Sequence, residues 1–172
     1  MKSIVIYSSL TGNTKQVAEA ITSVLPAGTP CVSMKEVPSD LSSYDLVFAG
    51  FWVDKGTANK EARDVLGILH NPHIALFATA GVPPQMAHAK ESLINAANCL
   101  PDGIEPVGTF ICQGKVDPKV IEMMYKMFPK GHSHGQSADR DARHKQAAVH
   151  PNEDDFKAAQ DFAQYILAKL DR

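Results

Sequence analysis

Short apolar segments alternate with longer segments of helical periodicity along most of the chain, and this alternation constrains the fold more than any other feature. Five apolar segments are predicted to be β-strands, at 3–7, 30–34, 45–52, 73–79 and 105–112. Several of them are nearly continuous in apolar residues, as is typical of parallel strands buried on both faces. The sequence therefore predicts a parallel sheet that lies inside the protein.

Segments in which apolar residues recur at helical spacing lie between and after these strands, at 13–25, 59–69, 85–99 and 153–170. The last of them is the clearest, because Asn152 can cap it and acidic residues follow at the positive end of the helix dipole. A β-α-β-α order with short connections predicts a doubly wound α/β fold, in which helices cover both faces of the sheet.

One segment, residues 116–152, interrupts this order. It opens with a predicted helix at 118–128, and a polar stretch rich in His and Arg follows, with a further short helix near 138–147. The whole chain of 172 residues fits one core. We therefore expect a single domain over 1–172 with an atypical helix-plus-loop segment at 116–152.

The charge balance and the cysteine content exclude several classes of protein. The chain has 17 Lys+Arg and 19 Asp+Glu, a net charge of −2, whereas a nucleic-acid binder relies on excess positive charge. No segment approaches the ~20 apolar residues of a membrane helix. The three cysteines form no CxxC pair, which argues against a disulfide framework or a thiolate zinc site. We expect a cytoplasmic protein without nucleic-acid or membrane partners.

The loop after the first predicted strand reads Ser-Leu-Thr-Gly-Asn-Thr over 9–14 and runs directly into a helix. Free N–H groups at a helix N-terminus bind anions, and small polar side chains on the same rim add donors. The loop has neither the Walker pattern nor a GxGxxG fingerprint. The two interpretations are a phosphate site and an ordinary strand-to-helix turn with a capping residue.

This segment matches the flavodoxin phosphate-loop pattern [ST]-x-T-G-x-T at every fixed position, and the chain resembles flavodoxins over about 1–114 and in its last helix. The resemblance implies a flavodoxin-like three-layer sandwich with a five-stranded sheet of order 2-1-3-4-5 and FMN as cofactor. It also implies that the FMN phosphate is bound by the residues of the loop, Ser9, Leu10, Thr11, Gly12, Asn13 and Thr14.

Two further loops would hold the flavin ring if the resemblance holds. The loops follow the third and fourth predicted strands, and their residues are Phe51, Trp52, Val53, Asp54, Lys55 and Gly56, then Thr79, Ala80 and Gly81. Trp52 lies where flavodoxins carry a ring-stacking aromatic residue, and Gly56 where a peptide contacts the flavin. The alternatives are that Trp52 caps the core and that Gly56 only begins a helix.

Two departures from the family keep the function open. Flavodoxins are strongly acidic, whereas this chain is nearly neutral and has Lys55 close to the expected ring position. Many flavodoxins also stack a Tyr on the second ring face, and here the nearest bulky candidate is Met86. An electron carrier that docks on redox partner proteins is favoured. The alternative is an FMN-dependent reductase that uses NAD(P)H with a quinone or another small-molecule acceptor.

The sequence offers no convincing catalytic residue or metal site. His132, His134 and His144 could be metal ligands, but their spacing fits no familiar site, and a mildly basic solvated loop is the better interpretation. Cys112 is predicted to be a buried small hydrophobe rather than a redox thiol, because no second cysteine is near it. A binding module that has lost FMN is a third function class, which the intact phosphate loop argues against.

Overall fold

The computed structural model describes residues 1–171, which form six strands and six α-helices. The strands are Ser3–Tyr7 (β1), Cys31–Ser33 (β2), Leu46–Asp54 (β3), Thr57–Ala58 (β4), His73–Ala80 (β5) and Gly108–Gln113 (β6). The helices are Asn13–Thr22 (α1), Lys60–Leu66 (α2), Ala87–Ala97 (α3), Pro118–Met127 (α4), Ala138–Ala147 (α5) and Glu153–Leu170 (α6). A short 3₁₀ helix, Met34–Glu36, follows β2.

Five of the strands form a parallel sheet of order β2-β1-β3-β5-β6. When the five predicted strands are numbered by themselves, this is the expected order 2-1-3-4-5, and helices cover both faces as in a flavodoxin-like sandwich. The expected fold class is therefore confirmed.

A sixth strand was not expected from the sequence. β3 continues two residues beyond Trp52, and β4 pairs with its end in the antiparallel direction. Lys55 and Gly56 connect them with φ of 50° and 78°. Positive φ at both central residues is the mark of a tight hairpin turn whose twist matches the strands. Periodicity could not reveal a strand of two residues.

The sheet separates two apolar cores, which explains the continuous apolar runs. Ile4, Ile6 and Val47 face one core with α2 and α3, whereas Val5 and Phe48 face the other with α1 and α6. Alternate side chains of a strand point to opposite faces, and here both faces are covered. The result is a sheet with no solvent-facing side along its central strands.

The predicted ends of several elements shift by a few residues. α1 ends at Thr22 rather than 25, shortly before Pro26, which cannot continue a helix. β6 begins at Gly108 rather than 105, after Pro106, which has no N–H to donate to a ladder. The start of α6 is as expected, because Asn152 and Asp155 form a reciprocal capping box.

Residues 116–152 contain α4 and α5, both close to their predicted bounds. Asp117 caps α4 by accepting from the Lys119 N–H, and Ser137 caps α5 by accepting from the Arg140 N–H. No helix within residues 1–171 has both the length and the apolar character needed to cross a membrane.

Candidate functional site

The register of the sheet brings three loops to one edge. Tyr7 of β1 pairs with Gly50, whereas β3 and β5 continue until Trp52 pairs with Thr79. The carboxyl ends of the parallel strands therefore lie together, and the loops after β1, β3 and β5 meet there. Ligands of open α/β sheets bind at this edge, where successive connections go to opposite faces.

A cleft of about 240 Å³ opens at this edge, and we call it the strand-end cleft. The loops after β1, β3 and β5 supply nine of its lining residues, all of them predicted from the sequence. These are Leu10, Thr11, Asn13, Trp52, Val53, Asp54, Thr79, Ala80 and Gly81. The structure thus brings parts of the three predicted loops into one site.

The other six predicted residues do not line the cleft. Phe51 is fully buried in the core shared with α2 and α3. Lys55 and Gly56 form the β3–β4 turn. The remaining three, Ser9, Gly12 and Thr14, belong to the first loop and the start of α1.

The first loop presents unpaired backbone donors. The N–H groups of Leu10, Thr11, Asn13 and Thr14 form no hydrogen bond within residues 1–171. The N-cap residue of α1 is Gly12, which has no side chain to cap the helix and adopts φ of 95°. Because free N–H groups and the helix dipole both favour negative charge, this loop can bind an anion.

Three of the four polar side chains of the loop, Ser9, Asn13 and Thr14, are engaged within the protein. Ser9 Oγ accepts from the N–H groups of Gly12 at 3.1 Å and Lys15 at 3.3 Å. Asn13 Nδ2 donates to the Lys115 carbonyl at 2.8 Å, and the buried Thr14 hydroxyl shares a hydrogen bond with Thr79. These contacts fix the loop, so that an anion would be met chiefly by backbone N–H groups.

Hydrogen bonds from residues of α3 and of the start of α2 hold the end of β3 and the turn after it. The Asn59 N–H donates to the Trp52 carbonyl at 3.1 Å, and Asn95 Nδ2 of α3 donates to the Gly56 carbonyl at 2.8 Å. Trp52 itself is half-buried and lines the cleft. Its ring is therefore a positioned apolar surface beside the anion-binding loop.

The fourth wall of the cleft was missed by the sequence analysis. It comes from the connection between β6 and α4 and from the first turn of α4, and it consists of Gly114, Lys115, Val116, Asp117 and Val120. Val116 packs so closely on Gly81 that a Cβ on Gly81 would lie 2.5 Å from Val116 Cγ2. The sequence signal was available in part, because Gly114 follows the end of a predicted strand at the ligand edge.

This wall supplies aliphatic side chains in a cleft that has Trp52 as its one aromatic lining residue among those that the structure describes. Val116 and Val120 place aliphatic side chains in the cleft, whereas Met86 lies outside it. A flat ring beside Trp52 would meet aliphatic groups on this wall, and a phosphate would meet the free N–H groups. The residues present therefore fit a flavin nucleotide, and fold and cleft together define a protein of the flavodoxin-like class.

The comparisons with known proteins agree with this class. A model of the flavodoxin domain family matches residues 4–164, and the chain belongs to this family. It is 35% identical over 176 residues to the flavodoxin-like domain-containing protein BilS of Clostridioides difficile (strain CD3), with 98% of each chain covered. A BilS protein of Clostridium symbiosum (strain WAL-14163) is 34% identical over 179 residues, with 94% of each chain covered.

Solved structures share the fold at low sequence identity. A flavodoxin from the domain Archaea aligns with a TM-score of 0.53 at 15% identity, and the alignment covers 100% of both chains. A flavoprotein from Lactobacillus acidophilus NCFM, solved in complex with FMN, aligns with a TM-score of 0.50 at 19% identity. That alignment covers 64% of this chain and 93% of the flavoprotein.

Other groups singled out in the sequence do not line the strand-end cleft. Cys112 is buried, as expected, and burial raises the pKa of its thiol to about 12. In the part of the chain that the structure describes, no three His, Cys, Asp or Glu side chains are grouped so as to hold a metal ion. His134 and His144 instead line a second cleft with two arginines.

Proposed function

We propose that this protein binds FMN in the strand-end cleft and transfers electrons to or from redox partner proteins. FMN is the cofactor, and when bound it supplies reversible oxidation and reduction. The proposal rests chiefly on one observation, namely that the free N–H groups of the first loop and the Trp52 ring lie on the same cleft. A phosphate and a flat ring of one ligand can be bound there together.

Each part of the site has a separate task in this proposal. The N–H groups of 10–14 bind the phosphate, and Trp52 packs on the ring. Thr79, Ala80 and Gly81 approach the polar edge of the ring with their backbone groups. Val116 and Val120 exclude water from the ring. Lys55 and Gly56 form the β3–β4 turn, which Asn95 holds by a hydrogen bond to the Gly56 carbonyl. In this proposal the turn lies near the edge of the ring.

Binding is tested by titrating the FMN-free protein with FMN and, separately, with riboflavin, which lacks the phosphate. Charge-assisted hydrogen bonds to the phosphate are expected to make FMN bind at least about tenfold more tightly. Trp52→Ala is expected to weaken both ligands equally. Tyr165→Ala, which removes an exposed aromatic ring of α6, serves as the control. Equal affinity for the two ligands would contradict the assignment of the phosphate loop.

The electron-transfer role is tested by anaerobic photoreduction of the FMN-loaded protein, followed by absorbance. A carrier that passes single electrons is expected to accumulate a one-electron-reduced state. Direct passage to the two-electron-reduced flavin would favour the second candidate, an FMN-dependent reductase that uses NAD(P)H and a small-molecule acceptor. One observation supports that candidate, because a second cleft adjoins the first at Gly81. In either case we place the protein in the cytoplasm.

A further inference from the structure

A second cleft of about 280 Å³ lies beside the strand-end cleft, and we call it the cationic cleft. Two helices, α3 and α5, and the loops that precede them line it, among their residues Gly81, His88, His134, Arg140, Arg143 and His144. Gly81 lines both clefts, so that the two adjoin at the end of β5. None of its eight lining residues is acidic, whereas five are Arg or His.

The two arginines have no carboxylate partner. Arg140 is held by the Ser133 carbonyl, which accepts from its Nε at 3.1 Å and from one terminal nitrogen. That nitrogen also lies 3.4 Å from His134 Nδ1. Arg143 forms no side-chain hydrogen bond and no ion pair within residues 1–171. A guanidinium carries five N–H donors, so that most of the donors here are free.

His144 adds a second, independent observation. Both of its ring nitrogens are shielded from solvent and have no hydrogen-bond partner among the described residues. Burial, and next the charge of Arg140, lower the pKa of His144. The neutral ring therefore offers one N–H donor and one acceptor that nothing in the protein uses. Buried polar groups in folded proteins are nearly always paired, with protein atoms, water or a ligand.

The neighbouring carboxylate is engaged elsewhere. Asp141 follows Arg140 on α5, and its two oxygens accept from the Tyr125 hydroxyl at 2.9 Å and from Gln136 Nε2 at 3.1 Å. Asp141 raises the pKa of His144, against the larger lowering effects of burial and Arg140. The cleft thus keeps its positive charge and its unpaired imidazole without an internal counter-ion.

We propose that the cationic cleft binds a carboxylate or phosphate group of a small molecule through Arg143 and Arg140, beside the His144 ring. Guanidinium groups match the planar, two-oxygen geometry of these anions. The volume of the cleft is that of a small-molecule subsite rather than of a protein interface. Bound there, the anion supplies the hydrogen-bond partners that the arginines lack.

The position of the cleft also suggests what the rest of that molecule does. Because Gly81 borders both clefts, a molecule anchored at the arginines extends toward the ring-binding end of the strand-end cleft. This second step rests on the proposed function, whereas binding of the anion does not. The wall formed by α5 and its preceding loop is then a specificity element that selects anionic reactants.

The test uses FMN-loaded protein whose histidines carry ¹³C, titrated at constant ionic strength with inorganic phosphate and, separately, with acetate. None of the seven histidines lines the strand-end cleft, whereas His88, His134 and His144 line the cationic cleft, so the ring signals of these three report on the cationic cleft. We expect saturable shifts of the His134 and His144 signals and unchanged signals from His70 and His73. The anion that saturates at the lower concentration identifies the favoured group.

Variants of α5 locate the effect. Arg143→Gln is expected to weaken anion binding about tenfold or more. Arg143→Lys is expected to weaken it less, because lysine keeps the positive charge and loses only the paired N–H donors of the guanidinium. Lys145→Gln removes an equal charge from an exposed position of the same helix and should leave binding unchanged. The absence of saturable shifts, or equal weakening by Lys145→Gln, would overturn the proposal in favour of a merely solvated basic face.

The same titration on FMN-free protein separates the two proposals. If FMN does not bind but the His134 and His144 signals still shift, the proposed function fails and the anion site stands. If FMN binds and these signals do not shift, the anion site fails and the proposed function stands.

Discussion

The hydroxyl groups of Thr14 and Thr79 lie 3.0 Å apart in a hydrogen bond that joins the first turn of α1 to the end of β5. Both residues are almost completely buried. The anion-binding loop and the ring-binding loop are therefore linked beneath the strand-end cleft by one side-chain pair. This bond fixes the spacing of two loops that are 65 residues apart in the sequence.

Replacing either threonine by valine should destabilise the protein more than replacing both. A single substitution leaves one buried hydroxyl without a partner, at a cost of about 1–3 kcal/mol, whereas the double substitution removes both groups. Urea unfolding of FMN-free Thr14→Val, Thr79→Val and the double variant measures the three free energies. Additive losses would show that the two hydroxyls do not depend on each other.

Gly81→Ala should disturb the strand-end cleft through Val116. The added Cβ would lie 2.5 Å from Val116 Cγ2, and overpacking of this kind costs about 1–3 kcal/mol. We expect lower stability and weaker FMN binding in the single variant, measured by unfolding and by flavin titration. Val116→Ala in the same chain should restore stability, since it removes the colliding methyl groups, and should recover flavin binding only in part, since Val116 itself lines the cleft. Failure of this rescue would mean that the backbone at residue 81, not the contact, is what matters.

Lys55 should make the bound flavin easier to reduce. A cation at the β3–β4 turn stabilises negative charge on a nearby reduced ring, by about 0.4 kcal/mol at about 10 Å in water. Lys55→Asn should therefore lower the two-electron midpoint potential by on the order of 10 mV. Asn is chosen because it tolerates the φ of 50° at this position. Lys60→Gln, an equal charge change on α2, is the control, and an unmoved potential in Lys55→Asn would contradict the prediction.

Cys112 should resist alkylation in the folded protein. Burial raises its pKa to about 12, so that almost no thiolate is present at pH 8, and the side chain is inaccessible. Mass spectrometry after treatment with iodoacetamide should find Cys112 unmodified in native protein and modified after unfolding in guanidinium. Rapid native labelling of Cys112 would show that β6 opens easily.

The same pKa predicts a pH dependence of stability. Above the ordinary thiol pKa near 9 the unfolded chain releases the Cys112 proton, whereas the folded protein keeps it until about pH 12. The unfolded state then binds fewer protons, and stability falls with rising pH across this interval. Cys112→Ala should lose less stability between pH 9 and pH 11 than the unmodified protein, as measured by urea unfolding. Equal losses would contradict the raised pKa.

The sequence by itself was sufficient to predict the fold and the three loops that meet at the strand-end cleft. Segments such as 45–52 and 73–79 are almost continuously apolar, which is typical of strands in a sheet covered on both faces. The order of strands and helices along the chain then limits the possible topologies. The loop from Ser9 to Thr14 can be recognised from the sequence, because all the residues of its phosphate-loop pattern are consecutive in the chain. Local patterns of this kind are visible without coordinates.

Only the tertiary structure decided which side chains face the cleft and what closes it. Phe51 and Trp52 are neighbours on β3, but their side chains point to opposite faces of the sheet. The side chain of Phe51 is therefore buried in the core. The contact of Val116 with Gly81, the Thr14–Thr79 bond and the convergence of His88 with Arg143 join residues far apart in sequence. Such contacts depend on the packing of whole elements against one another, and no local pattern encodes them.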